Sequence, residues 1–400
     1  MPAELERPGV AKKRMRVTIV RQRYDPYGGA ERFIERALPA LERAGAEPTL
    51  IARRAEGWGA RRFIAADPFF LGRTWRDASF ARAARRAWET GGFDLVQCHE
   101  RIPGCEIYRA GDGVHAEWLE IRGATAEPSA GTPQRLPVAL DPYHRYVRGA
   151  ERHMFAHPAL RAVICNSTMV RDEIERRYGV SPQKLHVVAG GVDLDHFHPR
   201  HRSALRAAAR GEVGAAREDF LFLFVGSGFW RKGLDAVIGA LARCAGERFR
   251  LAVAGHDRQA ARFASQARAA GLGDRVRLLG GRADVRPLYA AADCFILPTR
   301  YDPLPSAALE ALAMGLPAIV GRRSGAAEIV RQGECGWICD PGDVGGLAQL
   351  MREAAQAAGR TSAADAARSA SERYGIDDMT QKLIDLYAAL AGDRAGGNRR

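Results

Sequence analysis

Short, unbroken apolar runs recur along nearly the whole chain, and a stretch with helical spacing follows almost every one. Such runs fit strands buried on both faces, and their alternation with helices is the signature of βαβ units and parallel sheets. A first series comprises RVTIV (16–20), PTLIA (48–52), DLVQC (94–98), AVICN (162–166) and KLHVVAGGV (184–192). A second comprises DFLFLFVG (219–226), RLAVAG (250–255), RVRLLG (275–280), CFILPT (294–299) and PAIVG (317–321). Helices such as GLDAVIGALARCAG (233–246) and DVRPLYAAAD (284–293) separate the second set. Two series predict an α/β protein of two Rossmann-like domains rather than one large sheet. The stretch 198–219, HPRHRSALRAAARGEVGAARED, has no strand pattern and joins them. The expected limits are 1–195 and 196–375, with an amphipathic helix at about 376–392 packing back across the linker. Facing domains of this kind leave a cleft between the carboxyl ends of their sheets, where open α/β sheets bind ligands.

Composition alters this picture little. Of 400 residues, 46% are hydrophobic and 27% charged, ordinary values for a folded protein of more than one domain. No run of about 18 apolar residues is present, so no membrane-spanning helix is expected. The opening MPAELERPGVAKKRMR lacks the apolar core of a secretory signal. Seven cysteines, without CxxC pairs or histidine partners at zinc spacing, fit reduced cytosolic thiols. Charge says more. At +13 the chain suits nucleic acid, an anionic lipid surface or a polyanionic substrate. Arginines alternate with alanine in stretches such as FARAARRAW and IERRYG that read as solvated helix faces. No zinc finger, aromatic sheet motif or basic heptad region is present, so nucleic acid is not an expected partner. An anionic membrane surface or acidic substrate is.

Three strand-to-helix junctions carry candidate chemistry. In RYDPYGGAERF (23–33), Gly28 and Gly29 open a helix after the first strand. Backbone can approach a ligand closely there and present free N–H groups to an anion, although a mere tight turn reads the same way. In FVGSGFWRKGLDAV (224–237), Arg231 stands where a dinucleotide fingerprint has its third glycine, and no Walker lysine follows. Arg231 and Lys232 side by side at the end of a strand suit a diphosphate. In RYDPLPSAALEALAMGLP (300–317), Asp302 precedes a helix and Glu310 lies about one turn inside it. Small residues Ser306 and Ala307 leave the helix N-terminus open to a ligand. The two carboxylates are too far apart for a surface i,i+4 pair, so each can hold a different part of one ligand.

In this order, the motifs resemble those of the retaining glycosyltransferases of family 4, which have the GT-B fold. The resemblance rests on YGGAERF (27–33), VICNSTMVRDEI (163–174), VVAGGVDLDHFHP (187–199), GSGFWRKGLD (226–235) and PLPSAALEALAMGLPAIV (303–320). It covers most of the chain. Within the family, YDPYGGAER, IPGCEIYRAGDGVHAEW and GSGFWRKGLD are most similar to the enzymes that add glucose to a heptose of the lipopolysaccharide core. The resemblance implies two facing Rossmann-like domains, an acceptor-binding N-domain and a donor-binding C-domain, with an inter-domain cleft and a C-terminal helix crossing back to the N-domain. It implies a nucleotide-diphosphate sugar as co-substrate, UDP-glucose by likeness, and no cofactor. Glu310 would bond the ribose hydroxyls and Asp302 the sugar hydroxyls. The family usually has Glu at the first of these positions, so Asp302 is one methylene shorter. Arg231 and Lys232 would neutralise the departing diphosphate, and Gly28 and Gly29 would let their loop close over the phosphates. Two cations and a helix dipole can stabilise that leaving group without a metal. The sequence Asp193-Leu194-Asp195 lies inside the inter-domain signature and reads as structural, as do His196 and His198.

The acceptor side offers Asp112, with His99 and His115 as further candidates. Asp112 follows the strand where the family keeps its acceptor-side acid or histidine, and it would orient the attacking hydroxyl or take its proton. Relatives act at the inner face of the cytoplasmic membrane on lipid-linked acceptors, which implies a cytoplasmic, peripherally bound enzyme. The stretch DPFFLGRTWRDASFARAARRAW (67–88) carries Phe69, Phe70, Trp75 and Trp88 among arginines and suits an anionic lipid interface, or else a core helix with a solvated basic face. Three competing classes fit less well. A nucleotide-sugar epimerase shares the fold but not the motif set. A dehydrogenase needs a complete glycine fingerprint. A basic lipid- or nucleic-acid-binding module explains the charge but not the placed carboxylates.

Overall fold

The computed structural model describes residues 14–24, 29–125, 141–357, 359 and 361–397. Gly28 lies outside these residues, whereas Gly29 opens the first helix, α1 (Gly29–Arg43). Among the described residues the first sheet has strands β1 (Met15–Val20), β2 (Ala46–Ala52), β3 (Arg62–Ala65), β4 (Leu95–Cys98), β5 (Ile107–Ala110), β6 (Ala162–Cys165) and β7 (Leu185–Val187), in the order β3-β2-β1-β4-β5-β6-β7. The second has β8 (Phe220–Val225), β9 (Phe249–Ala254), β10 (Val276–Gly280), β11 (Cys294–Leu297), β12 (Ala318–Gly321) and β13 (Gly336–Cys339), in the order β10-β9-β8-β11-β12-β13. Every neighbouring pair in the second sheet is parallel. Both orders run outward from the first strand and then reverse, which is the Rossmann pattern. In the second sheet the reversal falls between β8 and β11, so the loops leaving their carboxyl ends, 226–233 and 298–305, emerge side by side. The expectation of two Rossmann-like sheets holds.

Packing divides the chain into two compact units. One comprises 1–109, 157–162 and 380–400, and the other 110–156 and 163–379. These limits differ from the sequence-derived 195/196 boundary. Within the second unit, the segments between 110 and 190 make long-range contacts with residues beyond 300. Glu328 accepts hydrogen bonds from the Thr168 and Met169 amides at 3.0 and 2.6 Å, and Tyr301 reaches both Val114 and Glu173. Apolar strand runs report which sheet a segment joins, not which neighbours its loops and helices adopt.

The C-terminal helix, Ile376–Gly397, is somewhat longer than expected. In the first unit its Tyr387 hydroxyl donates to Gln97 Oε1 at 2.7 Å, and Arg161 donates to the Leu390 carbonyl at 2.7 Å. The linker stretch forms helix Arg202–Glu212. Its arginines are not surface decoration: Arg202 and Arg206 donate to the Ala292 carbonyl at 2.9 Å each, and Arg210 donates to Ala291 at 3.1 Å. They cap the C-terminus of the helix Arg286–Ala291, where cations complement the dipole. All seven cysteines are buried and free.

Candidate active site

The 226–233 loop turns sharply at its end. Gly233 has φ +82°, and a Cβ there would lie 2.1 Å from the Pro298 carbonyl oxygen, so only glycine allows this approach to the neighbouring loop. The two loops are then stitched by backbone. Arg300 N donates to the Arg231 carbonyl at 2.8 Å, and Arg231 donates to the Tyr301 carbonyl at 3.0 Å. Arg300 forks onto Asp235 at 2.9 and 2.7 Å and stacks on Trp230 at 4.6 Å, which fixes the loop from beneath.

This stitching brings Asp302 onto the cation pair. Lys232 Nζ donates to Asp302 Oδ2, and Arg231 approaches the same oxygen at 3.4 Å. Lys232 and Asp302 are both buried, while the Arg231 side chain is about a third exposed at 36%. Burial alone would raise the Asp302 carboxyl, but Lys232 and then Arg231 outweigh it and hold it below the usual carboxylate range. Burial likewise draws the Lys232 ammonium below its ordinary value, with Asp302 opposing. Asp302 and the two cations, expected as separate ligand contacts, join in one cluster.

Helix Ser306–Ala313 starts at Pro305, and no side chain caps it. Ser306 and Ala307 in its first turn are half-buried, and Glu310, on the same helix, is 2% exposed. Tyr289 Oη lies 3.1 Å from both Glu310 Oε2 and the Ala307 carbonyl. Tyr289 was not singled out in the sequence, where it lies unremarked inside an apolar helix. The arrangement can hold an anion at the helix end and the cations, and hydroxyl groups at the carboxylates.

Asp112 is exposed on the turn after β5. The next residues are held from the second sheet: the Val114 amide donates to Tyr301 Oη at 2.9 Å. Helix His115–Ala124 begins there, and buried Glu151 accepts from the His115 and Ala116 amides at 2.9 and 3.3 Å. His115 Nε2 faces His144 Nδ1 at 3.2 Å. Both findings favour a structural His115. His99 lies in the first unit and is 4% exposed. Gln97 Nε2 faces its Nε2 at 2.9 Å, and burial, reinforced by Arg109 and Arg21, keeps the imidazole neutral. Asp193 turns its carboxylate onto the amides of Asp195 and His196, at 3.1 and 2.8 Å.

Glu173 is a group that sequence reasoning missed. Burial pushes it up to about 7, Tyr301 pulls it down through a hydrogen bond, and Glu117 adds to the rise while Arg176 and Arg177 oppose it. The folded chain therefore keeps a proton that the unfolded chain releases near 4.5, so stability from this group is full below that value and is lost as pH rises through about 7. Glu173→Gln is expected to gain thermal stability over wild type progressively between pH 5 and 8. A difference in melting temperature that ignores pH would contradict this.

The family described as "Glycosyl transferases group 1" matches residues 206–371, and "Glycosyltransferase Family 4" matches 27–196. A probable transglycosylase of Burkholderia thailandensis is 29% identical, over 93% of this chain and 96% of its own. The lipopolysaccharide glucosyltransferase WaaG of Escherichia coli is 24% identical over 91% of this chain and 96% of its own. A D-inositol 3-phosphate glycosyltransferase of Xylanimonas cellulosilytica is 30% identical over 74% and 72%. Among solved structures, WaaG superposes with TM-score 0.79 at 22% identity, covering 92% of this chain and 99% of that one. Anabaena HepE in complex with UDP-glucose superposes with TM-score 0.70 at 20% identity, covering 94% and 100%.

Proposed function

The chain belongs to the glycosyltransferases of family 4, with the GT-B fold, and from that premise we propose that it is a retaining, metal-independent hexosyltransferase using UDP-glucose. The observation that carries the reading is the cluster of Arg231, Lys232 and Asp302 at the reversal point of the second sheet, beside an uncapped helix that bears Glu310. Glu310 binds the ribose hydroxyls. Asp302 meets the sugar hydroxyls while holding the two cations in place for the diphosphate. As the bond from the anomeric carbon to the β-phosphate oxygen breaks, charge grows on that oxygen, where Arg231, Lys232 and the helix N-terminus stabilise it. The acceptor hydroxyl attacks from the same face, forms the new glycosidic bond and passes its proton to the departing phosphate. Asp112 orients that hydroxyl. A fold relative holding UDP-glucose supports the donor, and the likeness to WaaG over nearly the whole length supports a lipopolysaccharide-core or other lipid-linked glycan acceptor.

NMR of the product made with UDP-glucose in the presence of a chelator tests the reaction. An α-linked glucose at undiminished rate is expected. A β-linked product, or loss of activity on chelation, would refute the mechanism.

A lipid-linked acceptor places the enzyme in the cytoplasm at the inner face of the membrane. Among the described residues no helix is long and apolar enough to cross a membrane. Among the described residues the exposed large apolar side chains, Phe63, Phe69, Leu71 and Trp75, cluster between residues 63 and 75, with exposed Arg62, Arg73, Arg82 and Arg86 around them in sequence. Phe69 and Trp75 pack edge to face at 5.7 Å. Trp88 is buried and Phe70 lies under the Arg53 guanidinium at 4.7 Å, so these two are structural. Such a patch suits anionic lipid. The double variant Phe69→Ser/Trp75→Ser is expected to bind phosphatidylglycerol vesicles at least about tenfold more weakly in sedimentation. Unchanged binding would remove this surface from the account.

A further inference from the structure

Tyr301 occupies an unusual place between the two sets of functional groups. It is 2% exposed and directly precedes Asp302. Its carbonyl accepts from Arg231 at 3.0 Å, so its main chain belongs to the cation cluster. Its side chain runs the other way. The hydroxyl donates to Glu173 Oε2 at 2.6 Å and accepts from the Val114 amide at 2.9 Å. Between Val114 and Asp112 lies Gly113, with φ +70°. A Cβ on Gly113 would stand 2.4 Å from the Tyr301 hydroxyl and 2.9 Å from Pro303 Cγ, so the turn lies flush on this ring and tolerates only glycine. On its other side, Asn166 Nδ2 donates to the Gly111 carbonyl at 3.1 Å.

We propose that Tyr301 is a positioning residue for transfer: its hydroxyl sets the turn that carries Asp112, its carbonyl sets Arg231, and Glu173 is the anchor that fixes the ring between them. The proposal rests on the acceptor role given to Asp112 above. One phenol thereby fixes the spacing between the group that aims the acceptor hydroxyl and a group that receives the leaving phosphate. Transfer depends on that spacing, whereas donor binding and its slow hydrolysis by water do not. Tyr301→Phe keeps the ring and its packing but leaves the Val114 amide and the Glu173 carboxyl without their shared partner. Helix His115–Ala124 keeps a separate hold, since Trp118 packs edge-on to Trp230 at 5.9 Å. The disturbance is therefore confined to the turn.

The test follows radiolabelled UDP-glucose into two products of the full-length enzyme: glucose transferred to deacylated lipopolysaccharide core ending in heptose, and glucose released to water. Their ratio is insensitive to the fraction of folded enzyme. Tyr301→Phe is expected to lower the ratio by about 10²-fold, the scale of a small misplacement, with KM for UDP-glucose within about twofold of wild type. Asp112→Asn should lower it comparably, and the double variant should fall no further than the worse single, because both act on one contact. Glu173→Gln still accepts from the tyrosine and should keep the ratio, while Glu173→Leu should lose it. Equal loss of transfer and hydrolysis in Tyr301→Phe, or multiplied losses in the double variant, would overturn the proposal. If Asp112→Asn leaves the ratio unchanged, the acceptor reading fails and the proposal with it. If only Asp112→Asn moves it, the acceptor reading stands and Tyr301 has no positioning role.

Discussion

Lys232→Ala is expected to lower turnover by at least about 10²-fold, the loss seen when one preorganised donor to a developing oxyanion is removed. It should also cost the fold about 3 kcal/mol, because Asp302 is left buried without its principal counter-charge. The two losses have different origins and can be separated. Lys232→Met combined with Asp302→Asn removes both charges and keeps most of the volume, so stability in a denaturant titration should largely return. Turnover should not. If the double variant recovers activity along with stability, Lys232 is a structural partner of Asp302 and the diphosphate is held elsewhere. Arg231→Ala should be milder on the fold, since that side chain is partly exposed and approaches Asp302 only at 3.4 Å.

Glu310→Ala should weaken UDP-glucose binding by about 10²- to 10³-fold. Two hydrogen bonds from ribose hydroxyls to one carboxylate contribute about 3–4 kcal/mol together, which converts to that range. Stability should change little by comparison: alanine favours helix, and the Tyr289 hydroxyl still lies within reach of the Ala307 carbonyl at 3.1 Å. Tyr289→Phe is the informative companion. It leaves the carboxylate but removes one hydrogen-bond partner at 3.1 Å, so a loss of affinity smaller than that of Glu310→Ala is expected. Equal affinities for wild type and Glu310→Ala, measured by titration, would detach this carboxylate from the nucleotide.

The strands legible in the sequence were those written as short apolar runs, whether fully buried like β8 or partly exposed like β10, VRLLG. The run FLFLFV of β8 is apolar throughout because helices cover both faces of a parallel sheet. Strands without such a run were not marked by pattern, and β5 was reached only through the resemblance, as the strand before Asp112. β3, RFIA, is a sheet edge with Arg62, Phe63 and Ala65 exposed, so it shows neither an apolar run nor clean alternation. β5, IYRA, hides a charge: Arg109 is buried with its guanidinium 3.8 Å from the Phe33 ring centroid. β13, GWIC, is short and opens on a glycine.

The candidate site divides along the same line. Glycine turns, paired cations and the spacing of Asp302 and Glu310 are local features, and they marked the loops correctly as neighbours of the sheet's carboxyl edge. The bond from Lys232 to Asp302 spans 70 residues and depends on how two loops meet at the β8–β11 reversal. Tyr301 to Val114 spans 187. No periodicity encodes such contacts. The same holds for Glu173, whose perturbation comes from burial and from neighbours on other elements.

The central claim is that one buried cluster on the second sheet binds a nucleotide-diphosphate sugar without a metal. Calorimetric titration of the purified chain with UDP-glucose, and with the ADP and GDP sugars as controls, tests it most directly when run with and without a chelator. The account predicts saturable binding of UDP-glucose that the chelator does not alter and that Glu310→Ala abolishes at the same concentrations. Absence of binding to every sugar nucleotide, or undiminished binding in Glu310→Ala, would contradict it.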